Sequence, residues 1–195
     1  MRVQRFWSSI LVAVIGVTWH MTALALADRW VNDFPAIDDV ILRNLPKIEL
    51  FGIGEIIFGL YIFCFAVLFF RQKNFDLPAL LTALGIFYGL RGFFLLLLPI
   101  GPPIDAFGAA ERLTIYPYAS HAYFPGGHIG IMTIMALSLR DRRLKTAFIA
   151  AAALFGIGSM ITRAHYSADL LGGIVLGYAV FVYLDRRRSR LNTQA

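Results

Sequence analysis

The sequence predicts an all-α integral membrane protein, a six-transmembrane-helix bundle with both termini in the cytoplasm. Of its 195 residues, 58% are hydrophobic and only 15% charged, against about a quarter charged in a soluble domain of this size. Six apolar runs reach or approach the roughly 20 residues a helix needs to cross a bilayer. They lie near 7–27, 50–70, 77–100, 126–140, 145–163 and 167–184. The cations also segregate by loop. Twelve fall on one side: Arg2, Arg5, Arg71, Lys73, Arg140, Arg142, Arg143, Lys145, Arg186, Arg187, Arg188 and Arg190. Five fall on the other: Arg29, Arg43, Lys47, Arg112 and Arg163. The cation-rich loops belong in the cytoplasm, so 1–195 reads as a single six-span membrane domain.

Taken in order, the first run follows a basic start, Met1-Arg-Val-Gln-Arg5, and ends near Ala25-Leu-Ala27, which resembles a signal-peptide cleavage site. The run is long for a signal, so a retained helix is expected. Residues 28–48 place Ile37, Val40, Ile41 and Leu45 at helical spacing, with Asp38, Asp39, Arg43 and Asn44 opposite. This pattern suits a short helix lying in the interface, as a plain connector or as a substrate gate. The second and third runs each carry one ionisable residue, Glu55 and Arg91. Residues 101–124 hold Pro102, Pro103, Tyr116, Tyr118 and Tyr123, aromatic anchors for the headgroup layer. The fourth run is short and begins inside the Gly126-Gly127 turn. The segment 185–195 is a basic cytoplasmic tail, a topology signal that also suits anionic lipid. A single cysteine, Cys64, excludes an internal disulfide. The net charge of +6 does not point to nucleic acid, because its cations are those the topology requires.

Chemistry concentrates in Arg163-Ala-His165-Tyr-Ser-Ala-Asp169. A helix starting here stacks His165 and Asp169, four apart, on one face. The carboxylate then fixes the imidazole tautomer and leaves the other nitrogen's lone pair for attack. Arg163 supplies a cation for a phosphate. His128 follows Gly126-Gly127, where backbone N–H groups at a helix start and two small residues make an anion site. A histidine there can protonate a departing oxygen. The topology delivers His128, His165 and Asp169 to the outer interface, together with His20 and His121 as interfacial residues. Simpler readings exist for each piece: His165 as a helix-capping histidine, or Arg91 and Glu55 as a structural pair within the membrane. No compact ligand set for a metal is present besides the His165–Asp169 pair, and no cofactor is expected.

These residues resemble the sphingomyelin synthase group within the type-2 phosphatidic acid phosphatase superfamily. His165-Tyr166-Ser167-Ala168-Asp169 is similar to that group's His-Tyr-Thr-x-Asp, with Arg163 two residues earlier. Gly127-His128 stands where the family has Ser-Gly-His, Arg91 with Pro99 resembles its Arg-to-Pro segment, and Phe34-Pro35-Ala36-Ile37-Asp38 is a weaker match to a Pro-Leu-Pro-Asp element. The match spans most of the chain. A glycine replaces the family serine before Gly-His and removes a hydroxyl donor. The phosphatase signature of a lysine, six residues and Arg-Pro is absent. A diester carries one negative charge where a monoester carries nearly two, so a site with Arg163 and Arg91 or Arg112 is better balanced for a diester.

The resemblance implies a phosphotransferase at the outer leaflet, with a glycerophospholipid donor and a ceramide or diacylglycerol acceptor. His165 would attack phosphorus, Asp169 would steady the imidazolium, Arg163 and Arg91 would hold the non-bridging oxygens, and His128 would serve as acid and then base. Two alternatives remain open at this point: a lipid phosphatase or phospholipase-C-like hydrolase using the same residues, and a non-enzymatic transporter built on Arg91 and Glu55.

Overall fold

Each of the six apolar runs folds as a helix, and a further single-turn helix lies in the first long connection. The computed structural model describes residues 2–31, 34–48, 53–72, 75–103, 106 and 123–193. The order is α1 (Arg2–Trp30), α2 (Val40–Asn44), α3 (Ile53–Arg71), α4 (Leu77–Leu97), α5 (Gly127–Ser138), α6 (Arg142–Ile161) and α7 (Ser167–Thr193). Helices α1, α3, α4, α6 and α7 are long and apolar enough to cross a membrane. Their outward faces are apolar: Val14, Leu60, Phe63, Leu154 and Val175 are each more than half exposed. A continuous outer surface of this kind suits lipid rather than water.

Several boundaries differ from the sequence expectation. Residues 28–30 extend α1, because nothing in Asp28-Arg29-Trp30 breaks a helix. The short helix expected within 28–48 is α2, a single turn. Asp39 caps its start by accepting from the Leu42 N–H at 3.0 Å. Pro46 stops it by forcing Leu45 into extended backbone. The basic segment from Asp185 continues α7 to Thr193, as expected where arginine, a good helix former, dominates. Lys73, Arg112, Tyr116, Tyr118 and His121 lie outside the described residues.

Close approach between helices is set by small residues, as it must be where lipid removes the usual hydrophobic drive between helices. In the α1–α4 pair, a Cβ on Gly16 would collide with the Gly85 carbonyl, and one on Gly85 would lie 2.7 Å from Ala13 Cα. In the α5–α7 pair, Gly126 and Gly130 face Gly173 and Gly177. Both sets are spaced by four and so share a face. A Cβ on Gly177 would come within 2.6 Å of the Gly130 carbonyl oxygen. Aromatic packing joins α3 to α6, with Tyr61 and Phe148 rings 4.8 Å apart. The Tyr61 hydroxyl donates to the Met132 carbonyl of α5 at 2.8 Å.

Helix α5 has 12 residues, about 18 Å at 1.5 Å per residue, against a hydrocarbon layer of roughly 30 Å. It survives at that length because it does not face lipid: Ile129, Met132, Ile134 and Ala136 are each at most 2% exposed. His128 lies in the first turn of this short helix. Beyond its other end is a cavity of about 270 Å³ lined in part by Gln72, Asp76, Ser138, Arg140 and Arg188. Asp76 closes that end: it caps α4 through the Ala79 N–H at 2.9 Å, pairs with Arg5 at 3.1 Å, and also binds Arg188.

Candidate active site

The turn between α6 and α7 builds the first half of the site. Helix α6 ends in a Schellman motif: Arg163 N–H donates to the Met160 carbonyl at 3.0 Å and Ala164 N–H to that of Ser159 at 2.9 Å. Arg163 takes the left-handed position normally given to glycine, with φ +56°, at a cost of roughly 1–2 kcal/mol. Its guanidinium donates to the Leu45 carbonyl at 2.9 Å and to that of Met160 at 3.3 Å. The arginine therefore ties the stretch after α2 to the end of α6, and it is only 8% exposed.

His165 does not lie on a helix, contrary to the sequence expectation, because α7 starts two residues later at Ser167. Asp169, in the first turn of α7, reaches back instead. Its Oδ2 accepts from the Tyr166 N–H at 3.0 Å and meets His165 Nδ1 at 2.9 Å. The first contact is half of a capping box, the third helical residue satisfying the N–H of the cap residue. The second fixes the tautomer: a carboxylate only accepts, so Nδ1 carries hydrogen and Nε2 presents its lone pair. Asp169 is 1% exposed, which holds the imidazole on a rigid support.

Two residues that the sequence reading did not single out for the site frame this histidine. Asp39 caps two helices at once. Besides Leu42 of α2, it accepts from the Ser167 N–H at 2.6 Å and the Ser167 hydroxyl at 3.0 Å, at the start of α7. Burial pushes the Asp39 carboxyl up, but the hydrogen bonds from Leu42, Ser167 and Ile41 outweigh it and leave the group below its ordinary value. Tyr166, 1% exposed, donates from its hydroxyl to the Pro102 carbonyl at 2.8 Å and accepts from the Ile37 N–H at 3.2 Å. Burial raises the Tyr166 phenol above its usual range. Tyr123, expected as a headgroup anchor, is instead buried at 2% exposure against the Tyr166 and His165 rings.

The start of α5 supplies the second half. Gly126 N–H donates to the Asp169 carbonyl at 2.8 Å, which locks the two halves together and commits one of the N–H groups expected to meet an anion. Those of Gly127, His128 and Ile129 open α5, where no side chain caps the helix. The His128 ring lies 5.8 Å from that of His165, centre to centre, at 77°. Phe58 packs edge-on at 4.3 Å on the other side. Glu55 Oε2 of α3 lies 3.9 Å from His128 Nε2, so each histidine has its own carboxylate.

Arg91 of α4, 5% exposed, comes in beneath. Its Nε donates to the Pro125 carbonyl at 2.7 Å, and its Nη1 meets His20 Nε2 at 2.9 Å. A Cβ on Gly127 would lie 3.1 Å from the Arg91 Cζ, so a bare glycine there leaves room for the guanidinium. His20, expected at the interface, is buried at 6% exposure beside Arg91.

The structure thus gathers His128, His165, Asp169, Glu55, Arg91 and Gly127 into one cluster, while the guanidinium contacts of Arg163 run to the Met160 and Leu45 carbonyls. Among the described residues, no three His, Cys or carboxylate side chains are grouped to hold a metal ion. In-line transfer at phosphorus needs an attacking nitrogen and a proton donor about 3 Å either side of the reacting atoms, a span that two rings at this separation can bracket. No family model matches the chain, and no curated protein matches it.

Proposed function

We propose that this protein is a membrane-embedded phosphotransferase that moves a phospho-headgroup from a glycerophospholipid to the hydroxyl of ceramide or diacylglycerol. The observation that carries the reading is the meeting of His128 and His165 at 5.8 Å, with Asp169 on the far nitrogen of His165. In the first half-reaction His165 Nε2 attacks phosphorus, and the P–O bond to diacylglycerol breaks. Protonated His128 gives its hydrogen to the departing oxygen, leaving a phosphohistidine that carries the headgroup. In the second, the acceptor hydroxyl returns a proton to His128. Its oxygen attacks phosphorus, and the N–P bond breaks to restore His165. Asp169 steadies the imidazolium of His165, and Glu55 does so for His128. Arg91 holds the non-bridging oxygens, with the α5 N–H groups beside it.

Arg163 receives a different part from the one the sequence suggested: by tying Leu45 to the end of α6 it braces the turn that carries His165. The chain crosses the membrane six times, α5 included, with both termini cytoplasmic and the histidines opening outward. The charge distribution of the loops supports this orientation. Lipid mass spectrometry of ceramide-fed cells expressing wild type or His165→Ala tests the reading. A new phosphosphingolipid or exchanged headgroup only with wild type is expected. Identical lipids in both, or release of inorganic phosphate from phosphatidic acid with no transfer, contradicts it.

A further inference from the structure

Arg91 is a buried cation on a membrane-length helix, and such a group must be held by partners that satisfy its donors. Its partner from α1 is His20, at 2.9 Å from Nη1 to Nε2. A guanidinium never accepts a hydrogen bond, so Nη1 donates and Nε2 accepts. That assigns the hydrogen of His20 to Nδ1. The Nδ1 atom is buried and has no hydrogen-bond partner among the described residues. An orphaned buried donor is unfavourable, and an apolar residue at this position would avoid it. The local packing nevertheless brings the imidazole here. Gly92, next to Arg91, lets α1 come so close that a Cβ there would lie 3.2 Å from His20 Cα. The Tyr88 ring packs against the imidazole at 5.0 Å, tilted by 46°.

We propose that His20 is a positioning residue for the phosphate-binding Arg91: it orients the guanidinium through an acceptor that adds no negative charge beside it. The inference rests on the phosphotransferase reading and deepens it. A carboxylate in the same place would be the stronger partner for stability alone, since it adds ion-pair attraction to a bond whose donor is already charged and can accept two guanidinium N–H groups at once. It would also compete with the substrate phosphate for Arg91. Stability and phosphate binding therefore respond in opposite directions to one substitution, which a purely structural histidine would not produce.

The test uses the full chain in phosphatidylcholine vesicles containing a fluorescent ceramide, with three variants. His20→Gln keeps a neutral acceptor, and transfer stays within about threefold of wild type. His20→Leu raises the KM for the phospholipid by roughly 10- to 100-fold, the range known for groups that orient metal ligands from the outer shell. His20→Glu raises it at least as far while the melting temperature holds or rises. Wild-type KM in His20→Leu, or in a folded His20→Glu, overturns the inference. If His20→Leu does not fold, the contrast between His20→Gln and His20→Glu decides.

If wild type itself transfers nothing, the phosphotransferase reading fails, and orthovanadate binding tests the positioning separately. Thermal stabilisation of wild type and His20→Gln but not of His20→Glu sustains it. Equal stabilisation of all three, or none of wild type, overturns it.

Discussion

Replacing Gly173 by alanine places one methyl group at the tightest point between α7 and α5, against the Gly126 carbonyl and 2.6 Å from Ile129 Cγ2. Carbon–carbon contacts relax at about 3.5–4.0 Å, so the two helices must part by about 1 Å. The carbonyl of Gly126 is backbone and cannot swing aside, and the overpacking costs roughly 1–3 kcal/mol. The same movement strains the 2.8 Å bond from Gly126 N–H to the Asp169 carbonyl and carries the His165–Asp169 pair away from His128. A misplacement of about 1 Å at reacting groups can lower the rate on the order of 100-fold. The assay is headgroup transfer in vesicles, with melting of the same samples. Gly59→Ala is the control, because a Cβ there meets nothing within 4 Å. Wild-type transfer by Gly173→Ala would refute the claim that glycine packing between α5 and α7 sets the distance between the histidines.

Three further outcomes follow from named contacts. Asp39→Asn replaces one of the two accepting oxygens with an NH2 that cannot accept and removes the charge beside α2 and α7, for about 1 kcal/mol of stability. Because the folded carboxyl lies below its ordinary 3.8, its contribution is present above that pH and is lost as pH falls through the folded value. Thermal melting from about pH 6 down to pH 3 should therefore converge for wild type and variant; curves that stay parallel would contradict the double cap. Tyr166→Phe removes the hydroxyl that joins Pro102 and Ile37 and costs about 1–3 kcal/mol, because buried partners are left unsatisfied. Limited proteolysis should then cut faster within 34–39 or 99–103, and an unchanged rate would count against the clamp. Gly127→Ser puts its Cβ 3.1 Å from Arg91 Cζ, so the guanidinium must shift by a few tenths of an ångström. Transfer should fall, and a faster enzyme would show that Arg91 is placed elsewhere during turnover.

The helices were legible because apolar runs and charge-free stretches are properties of single segments. The short fourth run was visible for the same reason, and it is the run that becomes α5. The His165–Asp169 contact was legible in its partners but not its geometry. Spacing by four suggests two residues on one helix, whereas Asp169 reaches back from the first turn of α7 to a residue before it. Arg163 looks like a phosphate ligand from its neighbours in sequence, but nothing local marks its contact with Leu45, 118 residues away. Asp39 and Ser167 are 128 residues apart, and His20 and Arg91 are 71 apart, so no local pattern marks either pair. A usable signal did exist for the packing: Gly85 with Gly89, Gly126 with Gly130, and Gly173 with Gly177 are all spaced by four, the interval at which small residues open one helix face to another.

The most direct test of the two-histidine site is to trap its covalent intermediate. Purified protein given a phosphatidylcholine donor without acceptor, digested under alkaline conditions that preserve phosphohistidine, should carry the headgroup phosphate on His165, should accumulate it more slowly in His128→Ala, and should lose it when ceramide is added. A headgroup adduct at another residue, or active transfer with His165 replaced by alanine, would contradict the account.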